Sequence, residues 1–248
     1  FEKINISAEE NNRAKKLIEK IIPTDTPHIP ELSIQANYFP FREVGGDFYN
    51  FFRLDESKLG VFVGDVSGHG LSSALLTVMV NTMIQSFEKN IFLSPSNFLV
   101  YLNQSLADKM GGYFLTAFYC VINFKENTLH YAKGGHPSPI LYRKSNNDTL
   151  LLKSAGKLIG ILPNILFEER MIPFHSGDLL VLMTDGIIET SNPDTGKSYD
   201  IERLEDFIRE KGILDISRLN QCIFNDVFNF VDTNEFSDDV TLISILRN

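Results

Sequence analysis

Four short acidic segments hold the residues of this sequence that are best suited to chemistry. Each places an aspartate beside glycine or a second acid at the edge of an apolar stretch, and these aspartates are Asp47, Asp65, Asp185 and the pair Asp238 and Asp239. Glycine beside a carboxylate permits a tight turn and a close approach of the backbone. An aspartate at a strand end has two ready uses, which are capping the next turn and binding a hard cation through oxygen.

If the aspartates converge, their mutual repulsion predicts a bound cation, because carboxylates that share a dry site raise each other's pKa values. A donor set made only of oxygen, without Cys or His, suits Mg²⁺ or Mn²⁺ rather than zinc. Two such ions about 3.5–4 Å apart would activate a bridging water and clamp a phosphoryl group. The spacing alone does not show that the four segments meet, so turn capping and metal binding both stay open at this point.

The elements that must position these segments alternate in blocks along the chain. Apolar and period-two patterns predict strands at 32–39, 47–54, 59–63, 113–124, 128–133, 140–143, 149–153, 179–183 and 240–246. Helical spacing predicts helices at 70–87, from Ser94 onward, and at 201–211 and 215–230. Many strands with helices inserted in blocks favour an α+β domain over a doubly wound parallel sheet.

The helix predicted at 70–87 has the clearest apolar stripe. Its apolar residues share one face, and they are Leu71, Leu75, Val78, Met79, Met83 and Phe87. We interpret this stripe as part of the core rather than as a binding surface.

The first 33 residues are predicted to be a separate segment ahead of the body of the domain at 34–248. Ser7 and Glu10 have the spacing of a capping box, the apolar pattern that follows ends at Pro23, and 23–32 forms a Pro-rich connector. Because the chain begins with Phe1 rather than Met, we expect an upstream sensor domain. The helix at 7–22 would then transmit its signal and could form a homodimer. The alternative, which these features favour less, is a plain N-terminal helix that packs on the body.

Composition and charge limit the classes of function. The chain has 248 residues, of which 43% are hydrophobic and 22% charged, and its net charge of −9 argues against nucleic acid as a partner. No apolar run is long enough to span a bilayer, and the sequence has no pattern typical of a signal peptide, so we expect none. Cys120 and Cys222 both lie among apolar neighbours, as reduced core residues do. These features predict a cytoplasmic domain, either independent or part of a larger membrane-anchored protein.

At its acidic segments the chain resembles the metal-dependent protein phosphatases of the PPM superfamily, in particular the bacterial SpoIIE-like branch with its RsbU-type regulators. Five blocks carry the resemblance in the order of the family, and they are VGGDFY at 44–49, GDVSGHG at 64–70, AKGGHPSPILY at 132–142, TDGIIE at 184–189 and SDDVT at 237–241. The resemblance covers about residues 35–246. It implies a sandwich of two antiparallel β-sheets flanked by α-helices, with a two-metal Mn²⁺ or Mg²⁺ site at one end.

The resemblance also implies roles for single residues. Asp47 and Asp65 would act in catalysis through a metal-bound water, with Asp65 bridging both ions, and the carbonyl of Val66 would add a ligand oxygen. Asp185 and Asp238 would complete the metal site from the other half of the chain. Asp239 would orient a ligand or a water.

The same resemblance implies a substrate. The water would attack a phosphoserine or phosphothreonine on a regulatory protein, in a partner-switching pathway where the substrate is an anti-sigma-factor antagonist.

Three further residues are weighed as supports of the ligands. Asn50 stands where the family usually has an aspartate, so metal affinity could be weaker here, and this is the only sequence support for the alternative of a catalytically weak interaction module with the same fold. His69 and His136 lie in family blocks but have no clear chemical role. A phosphodiesterase or nuclease with the same metals is a third alternative, which the net charge of −9 disfavours.

Overall fold

The structure, a computed structural model, describes residues 23, 25–41, 44–68, 70–211, 215–233 and 236–248. The helix predicted at 7–22 and the residue His69 lie outside the described residues, so what the sequence predicts for them stays a prediction.

Within the described residues the chain forms ten strands and five α-helices. The strands are β1 (Leu32–Phe39), β2 (Asp47–Arg53), β3 (Lys58–Val66), β4 (Leu115–Asn123), β5 (Thr128–Gly134), β6 (Ile140–Arg143), β7 (Asp148–Leu151), β8 (Arg170–Pro173), β9 (Leu179–Met183) and β10 (Val240–Arg247). The helices are α1 (Leu71–Gln85), α2 (Pro95–Leu106), α3 (Asp185–Ile188), α4 (Ile201–Lys211) and α5 (Ile216–Val231).

The strands form two five-stranded antiparallel sheets, which confirms the predicted fold class. The first sheet has the order β1-β10-β9-β6-β7 and the second has the order β2-β3-β4-β5-β8. Helices α1 and α2 pack on the second sheet, and α4 and α5 pack on the first. The central strands β4 and β9 are buried almost throughout, since each is covered on both faces, and they therefore read as apolar runs rather than as alternating patterns.

Helix α1 buries only part of the stripe that its sequence pattern predicts. Met79, Met83 and Phe87 are half-buried against the main core, as predicted, but the interpretation is wrong for Leu71 and Leu75. Leu71 and Leu75 are 47% and 58% exposed. The buried residues are mostly small or polar, and they are Ser73, Ala74, Thr77, Val80, Asn81 and Ile84. The reason is that this face hydrogen-bonds to the sheet, as when the Thr77 hydroxyl donates to the Gly46 carbonyl at 3.0 Å. Helix α1 is thus fixed by polar contacts to the turn ahead of β2.

The start of α2 is confirmed as predicted. Ser94 caps the helix by accepting a hydrogen bond from the Asn97 amide at 3.4 Å, and Pro95 occupies its first turn. The carboxylate of Glu169 adds a second cap, because it accepts hydrogen bonds from the Ser94 hydroxyl at 2.7 Å and the Ser96 amide at 3.0 Å.

The segment ahead of β1 is joined to the body of the domain. Ile29 is buried in the main core, and the Tyr49 hydroxyl donates to the Pro23 carbonyl at 2.9 Å. Strand β1 begins at Leu32, so its first two residues fall inside the 1–33 segment that the sequence analysis sets apart from the domain.

Candidate metal centre

The acidic segments lie at one end of the sandwich, and each sheet supplies two of them. Asp47 is the first residue of β2, and Asp65 is its direct cross-strand partner on β3. Asp185 begins α3 directly after β9, while Asp238 and Asp239 directly precede β10. Strands β9 and β10 are neighbours in the first sheet, so the last three aspartates also come together. The tertiary fold therefore supplies the convergence that the spacing could not show.

The pKa values show how strongly these carboxylates affect one another. Burial, together with the charges of Asp185, Asp238 and Asp239, raises the pKa of Asp65 to about 8. Burial raises the pKa of Asp47 well above its ordinary value, and the neighbouring charge of Asp65 adds to the shift. Buried carboxylates that face the negative charges of several others create a strong local preference for a cation.

Asp185 belongs to the same electrostatic group. Burial is the first cause of its raised pKa, and the charges of Glu189 and Asp238 follow. Its position is set by Gly186, because a Cβ there would lie 2.0 Å from the Asp239 carbonyl oxygen. Only glycine therefore allows the turn that carries Asp185 to approach the turn that carries Asp238.

Asp239 organises the turn that leads into Asp47. Its Oδ1 accepts a hydrogen bond from the Phe41 amide at 2.8 Å, and its Oδ2 accepts one from the Gly46 amide at 2.7 Å. A Cβ on Gly45 would lie 2.4 Å from the same carboxylate, so the glycine is required by the close approach. Both oxygens of Asp239 thus bind backbone, and this places it as a support of Asp47.

The Val66 carbonyl faces the same space as Asp65. A Cβ on Gly46 would lie 2.4 Å from the Val66 carbonyl oxygen and 3.2 Å from Asp65 Oδ1, so both oxygens point to the side on which Gly46 lies. The Val66 amide in turn donates to the Gly46 carbonyl at 3.1 Å. A backbone and a carboxylate oxygen thus both lie near Gly46, and a hard cation takes ligands of these two kinds.

Three hydroxyl groups next to Asp47 were not identified from the sequence. Asp47 Oδ2 accepts hydrogen bonds from the Thr184 hydroxyl at 2.6 Å and from the Thr241 hydroxyl at 2.9 Å. Tyr38 pairs with Thr241 across β1 and β10, and its hydroxyl is buried. Burial and then the charges of Asp239 and Asp47 raise the pKa of Tyr38 far above its ordinary value. Both threonines belong to sequence blocks named above, TDG and DDVT. Membership of these blocks was the signal by which the sequence could have identified them.

Asn50 lies on the opposite face of β2 from Asp47, because the two positions differ by an odd number of residues. Its side-chain amide donates to Asn81 on α1 at 2.6 Å, and it is buried there. The structure therefore gives Asn50 a role in holding α1 against β2. Within the described part of the chain, its side-chain amide has no hydrogen bond to a proposed ligand.

His136 is buried between the sheets beside the centre. Its Nδ1 shares a hydrogen bond of 2.9 Å with the Thr116 hydroxyl, and Thr116 is the cross-strand partner of Asp65. Burial and then the charge of Lys133 lower the pKa of His136 to about 3, partly opposed by the Met183 carbonyl, so the ring is neutral at physiological pH. Because its ring is neutral, His136 is unsuited to act as a general acid. It is connected to Asp65 through Thr116, so a supporting role fits it.

The donors present fit a hard divalent cation by their chemistry, since they are carboxylate and carbonyl oxygens with an excess of negative charge. Among the described residues, however, no group of three or more His, Cys, Asp or Glu side chains is arranged so as to hold an ion. Mg²⁺ is commonly held by one or two carboxylates together with waters and substrate phosphate, so it does not require such a cage. The case for metal rests on charge and donor type.

We expect the stability of the metal-free protein to fall as the pH rises from about 4 to about 8. Asp65 has a higher pKa in the folded than in the unfolded chain, so over this range the folded state binds more protons and loses that advantage as the pH increases. Thermal unfolding in EDTA at about pH 5 and about pH 8.5 measures the effect, and MnCl₂ should restore the melting temperature at the higher pH. Equal melting temperatures in EDTA at both pH values would contradict the electrostatic description of the site.

Comparison with known proteins identifies the family. The sequence profile of Stage II sporulation protein E (SpoIIE) matches residues 55–248. The chain belongs to the SpoIIE family. This SpoIIE-family match begins after Asp47, so it includes four of the five blocks named above and leaves out the first.

Relatives of this SpoIIE-family domain include two phosphatases of Bacillus subtilis. Phosphoserine phosphatase RsbP is 26% identical over 87% of this chain and 52% of its own length. Phosphoserine phosphatase RsbU is 26% identical over 94% of this chain and 69% of its own length. Protein IcfG of Synechocystis is 25% identical over 96% of this chain and 42% of its own length. The chain thus spans about half the length of two of these relatives, IcfG and RsbP.

Solved structures confirm the fold. The SiaA-PP2C domain of Pseudomonas aeruginosa matches with a TM-score of 0.85 and 19% identity, over 98% of both chains. The SpoIIE phosphatase domain of Bacillus subtilis matches with a TM-score of 0.74 and 18% identity, over 87% of this chain and 63% of that one. RsbX, crystallised with magnesium, matches with a TM-score of 0.66 and 16% identity, over 90% of this chain and 99% of that one. At these identities the similarity shows a shared PP2C-type sandwich.

None of the helices in the described part of the chain combines the length and the apolar character needed to cross a membrane.

Proposed function

We propose that the domain is a metal-dependent serine/threonine protein phosphatase. The observation that carries the proposal is the meeting of carboxylates from both sheets, where burial and the charges of three other aspartates raise the pKa of Asp65 to about 8. Such a site favours a divalent cation, and in proteins of this family it suits phosphoryl transfer to water.

The proposed ligands are Asp47, Asp65, the Val66 carbonyl, Asp185 and Asp238, with Asp65 between the two halves of the site. When bound, two Mn²⁺ or Mg²⁺ ions would supply an activated water and neutralise the charge on the phosphoryl oxygens. Asp239 holds the turn ahead of Asp47, and the Thr184 and Thr241 hydroxyls hold the Asp47 carboxylate. The neutral ring of His136 keeps Thr116 in place beside Asp65.

The proposed substrate is a phosphoserine or phosphothreonine on a regulatory protein, of the anti-sigma-factor antagonist kind, within a cytoplasmic partner-switching pathway. Support comes from the SpoIIE family match and from RsbP and RsbU, which are phosphoserine phosphatases. The negative net charge of the chain fits a protein substrate better than a nucleic acid.

A catalytically weak interaction module with the same fold is the second candidate. One observation favours it, which is that no group of three or more potential ligand side chains among the described residues is arranged to hold an ion.

Hydrolysis of p-nitrophenyl phosphate and of a phosphoserine peptide separates the two candidates. We expect hydrolysis that requires millimolar Mn²⁺ or Mg²⁺ and that stops in EDTA, because the carboxylates of the site repel a phosphoryl group unless a cation is bound. Asp185→Ala should remove the activity, whereas Asp194→Ala, in an exposed turn, should retain it. Absence of hydrolysis of both substrates at every metal concentration would favour the interaction module.

A further inference from the structure

The carboxylate of Asp47 is held from the opposite sheet. Asp47 belongs to β2 of the second sheet, whereas Thr184 follows β9 and Thr241 lies on β10 of the first sheet. Both threonine hydroxyls donate to the same oxygen, Oδ2, at 2.6 Å and 2.9 Å. Asp47 is therefore the point at which the two sheets are joined by side chains at this end of the sandwich.

The direction of the hydrogen bond from Thr184 is fixed by a third one. The Thr241 amide donates to the Thr184 hydroxyl oxygen at 2.9 Å, and the Thr184 amide donates to the Thr241 carbonyl at 3.1 Å. Because the Thr184 oxygen already accepts a proton from the backbone, its own proton is directed to Asp47. Oδ2 thus receives two hydroxyl protons, which leaves Oδ1 as the oxygen that can face a cation.

Bulk water does not reach either hydroxyl in the folded protein. Thr184 and Thr241 are fully buried, and Asp47 is 2% exposed. A buried acceptor that loses its donor stays unpaired, and its side chain is then free to turn. Since a partner that orients a metal ligand commonly accounts for a factor of about 10 to 100 in metal affinity, these contacts are suited to control binding.

We propose that Thr184 and Thr241 are positioning residues that hold the Asp47 carboxylate with Oδ1 directed to the metal centre. The inference rests on the proposed function, because it assigns the two hydroxyls a role in cation binding at that site. The residues act through Asp47 and touch neither the substrate nor the reacting water.

The test is Mn²⁺ binding, measured by calorimetry with MnCl₂ alone and without substrate. Thr184→Val and Thr241→Val should each weaken Mn²⁺ affinity by about 10- to 100-fold, whereas Thr184→Ser and Thr241→Ser should stay within about three-fold of the wild type because they keep the hydroxyl. Alanine variants repeat the test without the extra methyl group that valine places against the carboxylate. The loss of Mn²⁺ affinity should be larger for the Thr184 variants than for the Thr241 variants, because they also remove the acceptor of the Thr241 amide.

Ser244→Ala is the matched control. Ser244 lies on the same strand as Thr241, is fully buried, and donates its hydroxyl to Asn220, away from the acidic residues. We expect this variant to lower the melting temperature without changing Mn²⁺ affinity, because it removes a buried hydrogen bond that has no connection to Asp47.

The possible outcomes are distinct. Wild-type protein that binds Mn²⁺, together with valine and alanine variants that bind it equally well, would overturn the inference and leave the proposed function standing. Serine variants that lose as much affinity as the valine variants would also overturn it, since packing rather than the hydroxyl would then be responsible. Wild-type protein that binds no Mn²⁺ would overturn the proposed function and this inference with it.

Discussion

Replacing Asp65 by asparagine is expected to abolish hydrolysis while making the metal-free protein more stable. The variant loses the carboxylate that is influenced by Asp185, Asp238 and Asp239, and with it the proposed link between the two halves of the site. We expect kcat/KM to fall at least about a thousand-fold, equivalent to about 4 kcal/mol of transition-state stabilisation. In EDTA above about pH 8 the melting temperature should rise by about 2–4 °C, since a repelled, desolvated carboxylate has been removed.

Loss of hydrolysis together with a higher melting temperature in EDTA would identify Asp65 as a functional residue that destabilises the fold. Steady-state hydrolysis and thermal unfolding in EDTA measure them, with Asp55→Asn as control, because Asp55 lies in an exposed turn and contacts only Ser57 and Lys58 among the described residues. Full activity in Asp65→Asn, or a lower melting temperature at high pH, would be incompatible with the proposed site.

Replacing Gly186 by alanine is expected to separate the two turns that carry Asp185 and Asp238. The added Cβ would lie 2.0 Å from the Asp239 carbonyl oxygen and 3.0 Å from Val240 Cγ2, so backbone rather than a flexible side chain has to move. We expect a loss of stability of about 1–3 kcal/mol and at least a hundred-fold loss of hydrolysis, because a ligand displaced by about 1 Å no longer acts with the others.

Gly196→Ala is the control for this variant. Gly196 has a φ of +66°, and apart from its chain neighbours no atom of the described residues lies within 4 Å of an added Cβ, so alanine there costs about 1 kcal/mol of backbone strain without a steric contact. Thermal unfolding and hydrolysis should show a modest loss of stability and full activity. Equal activities in Gly186→Ala and Gly196→Ala would mean that hydrolysis does not depend on the close approach of the turns that carry Asp185 and Asp238.

The sequence was sufficient to predict nine of the ten strands and the acidic residues, but it missed β8, a four-residue edge strand that is mostly exposed and has no apolar run. Asp47, Asp65 and Asp185 each stand where an apolar run begins or ends beside a small residue, and the structure places them at strand ends. Asp47 meets Asp65 through the pairing of β2 with β3, and the first sheet adds Asp185 through the pairing of β9 with β10 and the contact of β10 with β2, where Thr241 bonds to Asp47 194 positions away. Local pattern does not encode such pairing, so the convergence was expected only from the family resemblance.

Two features of the structure could not be predicted from the sequence, and the physical reason can be identified for each. The stripe from Leu71 to Phe87 has helical spacing, but α1 turns its small and polar residues to the sheet because Thr77 bonds to the Gly46 carbonyl and Asn81 bonds to Asn50. The hydroxyls of Thr184 and Thr241 give no periodic signal, since a single threonine in a turn or strand is ordinary. Their role follows only from the contact between the two sheets.

The most direct test of the metal centre is the anomalous diffraction of Mn²⁺ in crystals grown or soaked with MnCl₂. The structure predicts anomalous density at the end of the sandwich, between the Asp47 and Asp65 carboxylates of one sheet and the Asp185 and Asp238 carboxylates of the other. Crystals saturated with Mn²⁺ that show no anomalous density among these four residues, while the protein in solution still hydrolyses phosphoserine peptide, would contradict it.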